Sequence, residues 1–178
     1  HFCLVFLFLS TLTFLVSCSE TSIDTLKKGV VHITAKSQIG EDALNEEEEP
    51  SEQEASGFIA FSDETWVFIV TASHTVAEYR QIQITFYTGR NKPPVEATLA
   101  GIESENDIAI LRVKKPSTDF YAFPLASQNF LKDFDQVAII GHPEGVSQWS
   151  SIRADVSSAG TTIELSSQAG FGLSGSPV

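Results

Sequence analysis

Residues 56–76 read Ser-Gly-Phe-Ile-Ala-Phe-Ser-Asp-Glu-Thr-Trp-Val-Phe-Ile-Val-Thr-Ala-Ser-His-Thr-Val. Two β-rich runs, Gly57–Phe61 and Trp66–Val70, flank the polar stretch Ser62–Thr65, which predicts a hairpin with a four-residue turn. The second strand runs on through Thr71, Ala72 and Ser73 to His74, and Thr75 to Arg80 reads as a short helical turn. Similar short runs follow at Gln83–Tyr87, Val95–Ile102, Ile108–Val113, Gln136–Ile140, Ile152–Val156 and Thr161–Leu165, and one precedes at Val30–Thr34. No long 3.6-residue period accompanies them. Many short strands with turns between them predict an all-β barrel or sandwich. Lys114 to Thr118, holding Pro116, reads as a crossing between two halves.

The chain has 178 residues, enough for one domain or two small lobes. Its 42% hydrophobic content excludes a wholly disordered chain. A net charge of −12 argues against a nucleic-acid partner, because phosphate binding needs clustered Lys and Arg. Eight of the 23 acids fall in residues 41–54, Glu-Asp-Ala-Leu-Asn-Glu-Glu-Glu-Glu-Pro-Ser-Glu-Gln-Glu, without one Lys or Arg. Like charges at that density predict a solvated, disordered loop, with partner docking as the functional alternative. No loop-closing glycine punctuates the run, which speaks against an EF-hand calcium site. The two cysteines, Cys3 and Cys18, leave the rest of the chain without a disulfide or a Cys-based zinc site.

Residues 1–17 hold twelve apolar residues and no Asp, Glu, Lys or Arg. A membrane-spanning helix wants about 20 apolar residues, so this run suits an export signal better. It ends in Leu15-Val16-Ser17-Cys18, which resembles the bacterial lipobox. That resemblance implies lipidation of Cys18, a tether over 18–27, and anchoring in the bacterial cell envelope. Ser19 after the cysteine implies, by the same analogy, the outer membrane facing the periplasm. The alternative is an uncleaved anchor with an incidental cysteine. The chain contains no Met and opens on His1 inside the apolar run, which predicts that residues are missing before it.

Three further segments belong together. Val70-Thr71-Ala72-Ser73-His74-Thr75-Val76 places a histidine where a strand ends. Glu105-Asn106-Asp107-Ile108-Ala109-Ile110-Leu111 places an aspartate at the mouth of an apolar strand. Gly172-Leu173-Ser174-Gly175-Ser176-Pro177 holds a serine between glycines. Singly, each has a bland reading as a structural residue or turn chemistry. Serine hydroxyl is a poor nucleophile near neutrality and needs a base to take its proton. Imidazole suits that role, and a carboxylate fixes its tautomer.

In this order on a β-rich chain, the three resemble the motifs of trypsin-like serine peptidases, in particular the disulfide-free bacterial HtrA-like branch. Val70–Val76 match [LV]-T-[AN]-x-H-x-V, and Asp107–Leu111 match D-[IL]-A-[VIL]-L. Gly172–Pro177 match G-[DN]-S-G-G-P except at two positions, and Ser56-Gly57-Phe58-Ile59 match the preceding strand. Ala138–Gly145 resemble a segment of the second barrel with one extra strand residue. The resemblance covers residue 28 onward and implies a two-lobed double β-barrel, 28–116 and 117–178. It implies Ser174 as nucleophile, His74 as general base and acid, Asp107 as orienting carboxylate, and the N–H groups of Gly172 and Ser174 as the oxyanion hole. It implies a polypeptide substrate, misfolded envelope proteins among them, and no metal or cofactor. The family has further strands after its serine, whereas this chain stops four residues beyond Ser174, so the second barrel is expected to be incomplete.

The departures also carry information. Leu173 replaces the acid that pairs with a new N-terminus in pancreatic-type enzymes, so that activation is not expected. Ser176 replaces a glycine, as in other bacterial and viral members. An ungapped alignment puts Gln168 at the base of the primary specificity pocket, which argues against an Arg/Lys preference and for small or apolar side chains. The α/β-hydrolase elbow G-x-S-x-G does not fit, because Ser176 stands two residues after Ser174. His32 and His142 read as structural or exposed residues, and Trp66 and Trp149 as core or strand-face residues. The rival from another class is a catalytically silent trypsin-like fold serving as a surface lipoprotein binding module.

Overall fold

The computed structural model describes residues 21–37, 51–126, 131–145, 147–160, 162–166 and 170–178. Its strands are β1 (Val30–Lys36), β2 (Glu52–Ser62), β3 (Trp66–Ala72), β4 (Gln81–Phe86), β5 (Val95–Glu103), β6 (Ile108–Lys114), β7 (Gln136–Gly141), β8 (Ser150–Ala159) and β9 (Ile163–Leu165). The first six close into an antiparallel barrel in the order β1-β2-β3-β6-β5-β4. The last three form an antiparallel sheet, β7-β8-β9. The chain is therefore all-β with two lobes, and the described part of the second lobe is an open three-stranded sheet.

Alternation built the barrel. In β6 Ala109, Leu111 and Val113 are buried while Ile108, Ile110 and Arg112 face out. In β4 Ile82, Ile84 and Phe86 face in. A period of two puts one face of each strand on the core. β1 departs from this pattern, with Val30 to Ile33 all buried. Val31 and Ile33 join the barrel core, whereas Val30 packs with Ile140 and Trp149 of the second lobe. β1 is thus the seam between the lobes.

The expected hairpin is β2–β3, with its four-residue turn. Ser62 pairs with Val67, and the Asp63 carboxylate accepts the N–H groups of Thr65 (2.7 Å) and Trp66 (2.6 Å). These local bonds hold the four-residue turn Asp63–Trp66, one residue further along than the sequence places it.

The acidic loop assigned to 41–54 needs correction at its end. Glu52, Gln53 and Glu54 belong to β2 and pair with Lys36, Ala35 and Thr34. Lys36 Nζ stands 3.1 Å from Glu52 Oε2, so strand pairing and an opposite charge offset the repulsion read from the sequence. Ser37 N–H donates to Ser51 C=O (3.1 Å), and the two hydroxyls lie 2.9 Å apart. Residues 38–50 lie outside the described residues.

Two short turns also differ from expectation. Inside the segment read as a tether, Ile23–Lys27 form helix α1, whose Thr25 N–H bonds the Ser22 side chain. Leu26 packs against Val30, Ile140 and Trp149. The turn expected over Thr75–Arg80 is instead a 3₁₀ turn at Ser73–Thr75, followed by looser bonds to Tyr79. The crossing after β6 folds back over the first barrel. Phe120 packs on its core, Phe123 N–H donates to Ile59 C=O (2.8 Å), and Lys28 pairs with Asp119 (2.7 Å). Among the described residues no helix is long and apolar enough to cross a membrane.

Candidate active site

β3 and β6 are neighbours in the barrel, with Ala72 opposite Ile108. That register places Ser73 and His74, just past β3, beside Asp107, just before β6. Ser73 N–H donates to the Asp107 carbonyl (3.0 Å). Asp107 has φ +56°, the left-handed region that aspartate enters more readily than most residues. Its Oδ1 accepts from Ser73 Oγ (2.8 Å) and His74 N–H (2.8 Å), and its Oδ2 lies 2.6 Å from His74 Nδ1. The His74 backbone N–H, aided by the Ser73 and His74 side chains, holds the carboxyl down at about 2. Asp107 is therefore ionised at neutral pH and can only accept. Nδ1 of His74 then carries the proton, and Nε2 presents a lone pair.

That lone pair faces Ser174 Oγ at 3.2 Å. The serine comes from the other lobe, on a turn shaped by Gly172 (φ +85°) and Gly175 (φ +81°). A Cβ on Gly172 would run into the His142 carbonyl, and one on Gly175 into the Ser56 carbonyl and Thr71. Only glycine reconciles those torsions with such close neighbours. Leu173 is buried against Ile139 and Ala154, anchoring the turn to the second sheet. The Ser174 carbonyl accepts from Ser56 N–H (3.0 Å), tying the same turn to β2.

The Phe171 carbonyl accepts from Glu144 N–H (2.8 Å). Carbonyl and N–H point oppositely across a trans peptide, so the Gly172 N–H points away from Glu144. Neither it nor the Ser174 N–H has an acceptor among the described residues. An open cleft lies against the turn, lined by Glu52, Gln53, Glu54, Glu144, Phe171 and Gly172.

His74, Asp107 and Ser174 thus meet in one hydrogen-bonded chain, with Gly172 beside them. Cys18 and Gln168 lie outside the described residues. Trp149 is buried, and Trp66, on the face of β3, is half-buried under the Arg112 guanidinium, both within the reading as core or strand-face residues. Ser73, Ser56 and His142 contribute contacts that the sequence reading did not assign. For Ser73 the adjacent His74 was the available signal; the other two stand in segments matched to the family, but their bonds span the lobes and show in no local pattern.

A family model for a trypsin-like peptidase domain matches residues 55–178. A serine endoprotease from Yersinia pestis has a similar solved structure, with 22% identity and a TM-score of 0.64. The match covers 88% of this chain and 53% of that one, so the chain spans about half its length. At that identity the likeness shows the shared fold. Comparison with curated proteins finds no match.

Proposed function

Because the chain belongs to the trypsin-like peptidase domain family, we propose that it is a serine endopeptidase acting through Ser174, His74 and Asp107. One observation carries this reading. The Asp107–His74–Ser174 chain is made by side chains from both lobes, at 2.6 Å and 3.2 Å. In the proposed reaction Ser174 Oγ attacks the substrate carbonyl carbon while His74 Nε2 takes its proton. The resulting imidazolium is stabilised by the Asp107 carboxylate. The developing oxyanion accepts from the N–H groups of Gly172 and Ser174; losing one such donor typically costs about 10²–10³ in rate. His74 then returns the proton to the leaving amine, and water releases the acyl group by the same steps.

Labelling of the full-length gene product by a fluorophosphonate tests the reading. Labelling that disappears in Ser174→Ala supports an activated nucleophile. A folded protein that takes no label would favour the silent binding module. Substrates drawn from misfolded envelope proteins, small or apolar side chains before the cut, and a lipid anchor on Cys18 at the periplasmic face of the outer membrane remain part of this proposal. The anchor rests on the lipobox-like residues 15–18 and predicts palmitate incorporation that Cys18→Ala abolishes.

A further inference from the structure

Behind the Ser174 turn, the two lobes meet around a buried hydroxyl. Ser56 of β2 is fully buried. Its Oγ lies 2.7 Å from the Gly172 carbonyl, 3.0 Å from the His142 backbone nitrogen and 3.2 Å from His142 Nδ1. A hydroxyl offers one hydrogen and two lone pairs. The Gly172 carbonyl can only accept, so it takes the hydrogen. The His142 backbone N–H can only donate, so it takes one lone pair. The second lone pair faces Nδ1, which must then bear a proton.

We propose that Ser56 and His142 are positioning residues for the oxyanion turn, with neutral His142 held as its Nδ1–H tautomer so that the Ser56 hydrogen is committed to Gly172. The assignment rests on the peptidase reading above. Ser56 holds both ends of the stretch that carries the two oxyanion donors. Its hydroxyl ties the Gly172 carbonyl, and its backbone N–H ties the Ser174 carbonyl. The Phe171 carbonyl is fixed by Glu144 N–H on the other side. With these flanking carbonyls restrained, rotation of the peptide that presents the Gly172 N–H is opposed from both directions.

The surroundings keep His142 neutral. Its ring meets Trp149 edge-on with centroids 4.6 Å apart and lies 4.8 Å from the His32 ring. Burial, together with His32, lowers its pKa to about 3. His32, on β1, is itself lowered by burial and faces Glu54 of β2 across 3.6 Å. Glu52 is paired with Lys36, and Glu144 lies in the same loop as His142. No described group bonds His142 Nε2, so no acceptor there draws the proton away from Nδ1.

The test uses the full-length gene product. Ser56→Ala and His142→Phe remove the linkage, whereas His142→Asn keeps an N–H donor near the Nδ1 position. Expected is a fall in kcat of about 10- to 100-fold for the first two, with KM within about twofold, since small misplacements of catalytic groups have effects of that size. His142→Asn should recover most of kcat. Equal losses in Asn and Phe, or unchanged kcat in Ser56→Ala, would overturn the assignment. Independently, ¹⁵N NMR of histidine-labelled Ser174→Ala protein should show His142 as Nδ1–H throughout pH 5–8; an Nε2–H tautomer would refute it. A wild-type protein without labelling or hydrolysis would sink the peptidase reading, while the NMR result would still decide the Ser56–His142 geometry.

Discussion

Acid should destabilise this protein through His142 in a way that one substitution removes. The folded chain holds His142 at about 3, against an unfolded value near 6.5. A base whose folded pKa is depressed contributes stability above its unfolded pKa, and that contribution is lost as pH falls from about 6.5 toward about 3. At pH 7.5 the unfolded chain gains almost nothing by protonation at this site. At pH 5 protonation favours it by about 2 kcal/mol. Asp107, held at about 2 against an ordinary value of 3.8, loses its contribution below about pH 5, so it adds little between pH 7.5 and pH 5. His32 is shifted in the same direction as His142 but is present in both proteins compared. Denaturant unfolding of the full-length Ser174→Ala protein, with and without His142→Asn, at pH 7.5 and pH 5 gives the answer. The stability lost between the two pH values should be about 2 kcal/mol smaller in the Asn variant. Identical losses would mean that His142 is not buried as a neutral ring, and the reasoning about its environment would fail.

Other outcomes follow from the same contacts. Asp107→Asn should lower kcat by about 10⁴ with KM little changed, because an amide no longer enforces the Nδ1–H tautomer of His74; steady-state kinetics showing a loss below about tenfold would contradict the role given to Asp107. Gly175→Ala should destabilise by about 1–2 kcal/mol from its left-handed torsion alone, and more from contact with the Ser56 carbonyl and Thr71, read as a lowered Tm. Leu111→Ala removes a fully buried side chain from the barrel and should cost about 2–5 kcal/mol in denaturant unfolding. A loss under about 1 kcal/mol would mean that the barrel interior is not packed around Leu111.

The barrel strands were legible because their alternation is local. Ile84 and Phe86 of the run read at Gln83–Tyr87, or Ala109, Leu111 and Val113, announce a buried face without reference to any partner, although the strand itself starts two residues earlier, at Gln81. The residues of the candidate site were legible because each stands in a short motif, His74 and Asp107 at strand ends and Ser174 between glycines. Helix α1 was not, since five residues are too few to display a period. Glu52 to Glu54 were misread because their charges are visible in the sequence and their pairing with β1 is not. The roles of Ser56 and His142 were least legible. They are separated by 86 positions, and only packing of one lobe on the other brings hydroxyl and imidazole together. A buried polar residue discloses its partners only in three dimensions.

The bonds between Ser37 and Ser51 have a bearing on engineering. They fasten the two ends of whatever chain runs between residues 37 and 51 to the end of one ladder. The entropy of closing a flexible segment grows only logarithmically, by about 0.6 kcal/mol for each doubling of its length. The barrel is accordingly almost indifferent to how many residues are spliced in at that point. This makes it a natural port for an epitope or a fluorescent reporter, attached to the first barrel without lengthening any strand that carries His74 or Asp107.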